Sequence, residues 1–305
     1  MAAIKRNKAK QIKKIRFEVA SLNIVLHPHS PERYIDLFRT IHETQLDAKV
    51  RGDDALMLGS FYSADEGSTK TEAYAGTIYK FLKLNAAEDW FNTLKMDAAS
   101  REDVKDIVIP DHLKPHFKRF QYVFFPKKHR LYFISKKTDH NLSPLMVKRF
   151  FESISTHANL AEFGELNVTV QPERGVTDEL FKIENISVIE LEIRKPNPDD
   201  HDDVEEDILE RLQELNAGKE KRQYFSATPE GLQPDAQLKA LAAVASENGS
   251  VYAKGRTAGN IVEISTKDRP LKATASYNPD LQSELNALLE KAEELHREIL
   301  SGKAI

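Results

Sequence analysis

Short segments in which apolar and polar residues alternate recur along the chain, and this pattern constrains the fold more than any other feature. Successive side chains of a strand point to opposite faces of a sheet, so the alternation predicts half-buried β-strands. The segments are 15–26, 55–62, 73–82, 120–125, 131–135, 166–170, 186–193, 251–254, 261–265 and 271–277. Short turn-like loops predict two antiparallel hairpins, 120–135 and 251–265. Segments 166–170 and 186–193 are predicted to pair in one sheet.

Proline-containing caps predict helices between these strands. Ser30 and Ser143 each precede a proline at a first helical position, and an apolar stripe follows both. Segments 204–215 and 237–245 are also predicted to be helical, and a last helix follows Asn278. The fold class predicted is therefore α+β, with mostly antiparallel sheets, packed helices and a long C-terminal helix.

The length of the chain predicts two domains. A chain of 305 residues, 40% of them hydrophobic, can bury two ordinary cores. We expect an N-terminal α+β domain with a basic hairpin at residues 1–160. The second α+β domain, at residues 161–305, should contain an acidic helix and a C-terminal heptad helix.

Several functional classes lack their sequence features. The chain contains no cysteine, which excludes disulfide scaffolds and thiolate chemistry. Charged residues occupy the position of a signal-peptide core, and no stretch approaches the roughly 20 apolar residues that span a bilayer, so we expect a cytoplasmic protein without membrane insertion. Neither a Walker-type loop nor a dinucleotide fingerprint is found, and no cofactor is expected.

The charges are distributed unevenly, although the formal net charge is only −4. Residues 1–16 and 114–149 are strongly basic, whereas residues 199–214 are strongly acidic. Lysine and arginine neutralise phosphates without reading base sequence, so basic clusters from both halves indicate a nucleic-acid cleft lined from two sides. The candidate DNA-binding residues are Lys114, Lys118, Arg119, Lys127, Lys128, Arg130, Lys136, Lys137, Lys254, Arg256, Lys267, Arg269 and Lys272.

A metal-dependent nuclease or toxic effector is the alternative hypothesis. Pro110 and Asp111, with Glu190 and Glu192 far downstream, could imitate nuclease carboxylates, but Arg194 occupies the position where a lysine is expected. We therefore predict neither catalytic residues nor metal ligands. Binding without catalysis is the favoured interpretation.

Segment 168–195, VTVQPERGVTDELFKIENISVIELEIRK, resembles the middle of the lambda Rex exclusion protein A family. It has a strand, a proline, a glycine-containing turn, an amphipathic spacer and a second strand ending in basic residues and proline. In length the chain is also similar to a bacterial family known as a domain of unknown function and, more distantly, to the DNA-binding subunit of the Kiwa defence system. The resemblance implies a dimeric, sequence-tolerant duplex-DNA-binding protein of antiphage defence or prophage exclusion, acting by abortive infection.

An apolar seam on the C-terminal helix predicts self-association. Its residues recur at spacings of four and three, as in coiled coils, although a helix packed on its own domain has a similar stripe. The predicted dimer-interface residues are Leu281, Leu285, Leu288, Leu295 and Ile299. A third hypothesis is that the seam recruits another protein, such as a second component of a defence system.

Overall fold

The computed structural model describes residues 14–64, 73–85, 88–138, 140–196 and 203–302. Two parts of the charged regions lie outside the described residues, namely residues 1–13 of the basic N-terminal region and residues 199–202 of the acidic region. The strands are β1 (Ile15–His27), β2 (Asp47–Arg51), β3 (Asp54–Ser63), β4 (Tyr74–Leu82), β5 (Phe91–Asn92), β6 (Asp97–Ala98), β7 (Lys118–Phe125), β8 (Arg130–Lys137), β9 (His140–Asn141), β10 (Glu165–Val170), β11 (Asn185–Arg194), β12 (Lys219–Phe225), β13 (Gly249–Thr257), β14 (Asn260–Ser265) and β15 (Ala273–Tyr277). The helices are α1 (Pro31–Glu43), α2 (Arg101–Val104), α3 (Pro144–Ile154), α4 (Val176–Phe181), α5 (Asp203–Glu214), α6 (Ala236–Asn248) and α7 (Glu284–Gly302).

A nine-stranded antiparallel sheet forms the larger part of the molecule. Its strand order is β10-β1-β8-β7-β4-β3-β2, with β15 also paired to β1 and β9 to β8. Helices α1 and α3 pack on one face through residues such as Phe38 and Phe150, whereas α7 packs on the other through Leu288. The central strands are therefore buried on both faces, as Phe124 and Val123 of β7 illustrate.

A second, four-stranded antiparallel sheet has the order β12-β11-β13-β14. Helices α4, α5 and α6 pack on one of its faces, where Leu180, Ile208 and Leu241 join a core built on Ile189 and Leu191. The predicted α+β class, with antiparallel sheets and a long C-terminal helix, is confirmed. No helix of the described segments is long and apolar enough to cross a membrane.

Strands from both sides of residue 160 share the large sheet. Strand β10 pairs with residues 22–27 of β1, and β15 pairs with residues 15–19 of the same strand. The predicted pairing of segments 166–170 and 186–193 is wrong, because β10 and β11 belong to different sheets. The large sheet thus contains strands from near both ends of the chain.

The seam of the C-terminal helix packs inside the molecule. Leu288 and Leu295 are buried with Phe17 and Val123 in the core beneath the large sheet, and Leu285 packs against the same core. Leu281 is 84% exposed but precedes α7, and the side chain of Ile299 lies outside the described residues. The prediction that Leu288 and Leu295 form an exposed dimer seam is therefore corrected, since this apolar face already has a partner in the chain's own sheet.

Candidate nucleic-acid interface

A cavity of about 880 Å³ lies between the two sheets, and lysines from both sides line it. Lys136 comes from β8 and Lys148 from α3, both on the large-sheet side. Lys267 lies in a three-residue 3-10 turn, Thr266–Asp268, that follows β14, and Lys272 directly precedes β15. We call this cavity the lysine cleft. Three of the predicted residues, Lys136, Lys267 and Lys272, are brought together here.

Hydrogen bonds fix the turn that holds Lys267. The Ser265 hydroxyl accepts a hydrogen bond from the Lys267 backbone N–H at 3.2 Å, as a cap does at a helix start. The buried Thr266 hydroxyl accepts a hydrogen bond from the Val251 backbone N–H at 3.0 Å, which attaches the turn to β13. These two hydrogen bonds therefore hold the backbone that carries Lys267.

The N-terminus of α3 borders the same cleft, because Ser143, Pro144 and Leu145 are among its lining residues. Helix α3 begins at Pro144, and the Ser143 side chain makes no capping hydrogen bond. The first backbone N–H groups of a helix carry partial positive charge. The cleft therefore combines lysine charges with a helix end of the same sign.

Two acidic residues, Glu18 and Asp268, reduce the positive charge of the lining. The Lys136 Nζ lies 3.4 Å from a Glu18 carboxylate oxygen, and the Lys148 Nζ lies 3.5 Å from Glu152. Burial lowers the pKa of the Lys148 ammonium, and the nearby charges of Arg194 and Lys267 lower it further while Glu152 opposes them. A lysine in this environment gains from an additional anion.

One carboxylate beside the cleft is surrounded by four cations. Oxygens of Glu192 lie 3.6 Å from the Lys221 and Lys267 nitrogens, 3.7 Å from Arg194 and 3.9 Å from Lys219. Burial alone would raise the pKa of the Glu192 carboxyl, but these cations together hold it below its ordinary value. We call these five side chains the Glu192 cluster, and Lys267 joins it to the lysine cleft.

The predicted hairpin of β7 and β8 forms, but its tip differs from the expectation. Arg130 is only 4% exposed, and its guanidinium donates to Glu247 at 2.8 Å. His129 is buried beside it, and this burial, together with nearby cations, lowers its pKa to about 2. The prediction that Arg130 lies at an exposed tip is therefore wrong, and only Lys127 and Lys128 remain toward the surface.

The basic residues of the first half are divided between two ends of the hairpin. Lys118 and Arg119 begin β7, whereas Lys127 and Lys128 follow its end, and an eight-residue strand spans about 26 Å. Arg119 lies over the Tyr79 ring, 5.8 Å from its centre. Lys114 precedes β7 in a loop. These residues do not line the lysine cleft.

The remaining predicted cations have carboxylate partners or lie elsewhere. Lys137 pairs with Glu284 of α7, and Arg269 pairs with Glu179 of α4. Lys254 pairs with Glu263 at 2.8 Å across β13 and β14, and Arg256 is exposed farther along β13. None of these four lines the lysine cleft.

Sequence reasoning missed Lys148, Arg194, Lys219 and Lys221 as site residues. Segment 219–225 was not predicted as a strand, because it contains many charged residues. Its exposure nevertheless alternates, and this places Lys219 and Lys221 on one face. The period-two spacing of these lysines is the signal that could have identified them.

The residues of the nuclease hypothesis lie in separate environments. Asp111 is exposed in a turn, whereas Glu190 and Glu192 belong to β11 and line a small depression on the second sheet. Within the described ranges, no group of three or more His, Cys, Asp or Glu side chains is arranged to hold a metal ion.

The fold and this surface define an α+β protein with two large antiparallel sheets, a separate two-stranded sheet of β5 and β6, and a lysine-lined cleft between the two large sheets. The family model described as a domain of unknown function, DUF4747, matches residues 15–293, and the chain therefore belongs to this family. A comparison with curated proteins found no match. Neither comparison tests the resemblance to lambda Rex exclusion protein A, which stays a prediction.

Proposed function

We propose that this protein binds DNA through the phosphate backbone, at the lysine cleft and the adjoining Glu192 cluster. The observation that supports this function is the convergence of Lys136, Lys148, Lys267 and Lys272 on one cavity. Phosphates are the ligands that such a set of separate ammonium groups neutralises.

The same chemistry supports binding without strong sequence preference. Lysine ammonium groups contact phosphates as point charges and carry no information about base identity. A role of this binding in antiphage defence or prophage exclusion rests on the resemblance of segment 168–195 alone. It is proposed on that basis.

The test replaces Lys136, Lys267 and Lys272 together by alanine. Four cleft lysines on duplex DNA correspond to a slope of about −3.6 for the logarithm of affinity against the logarithm of salt concentration. Loss of three should reduce the steepness of that slope by about 2.7 and weaken binding to unrelated duplexes equally. Fluorescence anisotropy over a salt series measures both quantities.

A matched control removes the same charge elsewhere. Lys95, Lys105 and Lys182 are exposed and lie outside the cleft, so their joint replacement by alanine should leave the slope nearly unchanged. Equal weakening by both triple variants would show that only overall charge matters. Undiminished binding by the cleft variant would overturn the proposal.

A further inference from the structure

One face of the four-stranded sheet is open in the part of the chain that the structure describes. Val251, Ala253 and Leu191 point to the helix-covered face and are buried there. The alternate residues point the other way, and their register places them in rows across the strands. The rows are Lys219 and Arg194; Lys221, Glu192 and Ser250; Gln223, Glu190, Tyr252 and Ser265; and Phe225, Val188, Lys254 and Glu263. We call this surface the open sheet face.

Two aromatic rings lie on this face, and both are at least partly exposed to water. Phe225 is 65% exposed at the end of β12. Tyr252 is partly exposed near the middle of β13 and lines a shallow depression of about 80 Å³ with Gln223 and Glu190. Burial raises the pKa of the Tyr252 hydroxyl, and its hydrogen bond with Glu263 raises it further, so the ring stays neutral at physiological pH.

Cations surround these rings. Lys221 lines the depression that contains Tyr252, and Lys254 follows Tyr252 by two positions on the same face of β13. Lys267 lines both the depression and the lysine cleft, so the two surfaces are continuous. Aromatic rings among lysines are the combination on which unpaired nucleobases stack while their phosphates are neutralised.

Geometry favours a single strand over a duplex on this face. Tyr252 and Phe225 are two strands apart and one row apart, which separates their Cα atoms by about 12 Å. This spacing is too wide for both rings to enclose one base, so each ring would stack on a different base of an extended strand. Bases within a duplex cover one another's faces and offer no such contact.

We propose that the open sheet face binds single-stranded nucleic acid, with bases stacked on Tyr252 and Phe225 and phosphates neutralised by Lys219 and Lys221. This inference rests on the proposed function in that the ligand is a nucleic acid and Lys267 is shared. It adds a second subsite that distinguishes unpaired from paired strands.

The experiment measures binding of labelled oligo(dT), oligo(U) and a mixed-sequence duplex to the full chain. Tyr252→Ala and Phe225→Ala should each weaken binding of a single strand by about tenfold, the lower part of the range for one lost stacking contact. Duplex binding should change by less than about twofold. Tyr252→Phe should restore single-strand affinity, because the ring and not the hydroxyl makes the contact.

Tyr62→Ala is the matched control, since Tyr62 is 47% exposed but lies on the large sheet. It should bind all three probes like the unmodified protein. If Tyr252→Ala fails to fold, Phe225→Ala alone tests the inference. The Phe225 ring is mostly exposed, so its removal should cost little stability. Unchanged single-strand binding by Phe225→Ala would overturn this inference. The cleft triple variant, tested on duplex, reports separately on the proposed function.

Discussion

Glu192 forms ion pairs with four cations that could otherwise bind phosphates, so replacement of Glu192 by glutamine should raise the affinity for nucleic acid. The carboxylate lies within 4 Å of Lys219, Lys221, Lys267 and Arg194. It therefore neutralises part of the charge available to a phosphate and also repels that phosphate. Glutamine has nearly the same shape and removes both effects.

The size of the effect follows from the distances. A phosphate oxygen in contact with the Lys221 or Lys267 ammonium would lie roughly 6.5 Å from the Glu192 carboxylate, because each ammonium is 3.6 Å from that carboxylate. Repulsion at this distance in water is about 0.6 kcal/mol per phosphate, and salt screening reduces it. Two such phosphates correspond to a gain of about three- to tenfold in affinity at low salt.

Anisotropy titrations at about 50 mM and about 200 mM salt measure the gain, which should shrink at the higher concentration. Thermal unfolding should show a loss of up to about 2 kcal/mol, because the cations lose their shared partner. Glu220→Gln is the control, since Glu220 pairs with Arg211 and Arg222 on the opposite face of the same sheet. An affinity of Glu192→Gln equal to or below that of the unmodified protein would refute this reasoning.

Two further outcomes test the titration of the cleft and the packing of the last helix. The pKa of Lys148 lies below its ordinary value, so Lys148 loses its charge earlier than other lysines as pH rises. DNA affinity should therefore begin to decline at a pH below about 10.4, the ordinary pKa of a lysine, and Lys148→Arg should remove this decline in a pH series of titrations. Leu288→Glu should destabilise the protein by about 3–5 kcal/mol in thermal unfolding, because it places a charge in the core, whereas Leu281→Glu should not. A folded Leu288→Glu monomer in sedimentation would contradict this packing.

Local signals in the sequence predicted most elements of the fold. The Ser30 hydroxyl accepts a hydrogen bond from the Arg33 backbone N–H, as its position before a proline indicated. The alternating segments became strands, and the heptad-like stripe became one face of α7. These signals depend on neighbours in sequence, and for that reason they could be recognised without a structure.

Sheet membership could not be predicted in the same way. Alternation shows that a strand has a buried face but does not identify its partner strand. Both β10 and β15 pair with β1, and only the register of the folded sheet places them along one edge. The apolar stripe of α7 likewise does not distinguish a second copy of the chain from the large sheet, and the sheet is its partner here.

The candidate site was predicted in part, because charge density along the chain does not show where carboxylates lie in space. Arg130 is among the predicted cations, yet a long-range pair with Glu247 accompanies its burial. Arg194 belongs to a segment without a dense basic run, and Lys148 lies at the end of one, but the fold brings both charges next to Lys267. The sequence thus predicted a cleft lined by basic residues from both halves of the chain, but several of the candidate residues lie outside the lysine cleft.

The net charge of −4 is compatible with an anion-binding surface because acidic residues are not shared equally among the cations. Lys137 and Lys254 are each paired with a carboxylate, so each pair presents almost no net field to a ligand. In the Glu192 cluster one carboxylate faces four cations, and the surplus lies directly beside the lysine cleft. The local excess of positive over negative charge determines where a phosphate is attracted, and the density of lysines along the sequence does not. Nucleic-acid binding should therefore depend more on Lys267 than on Lys127 and Lys128, which are adjacent in sequence but do not line the lysine cleft.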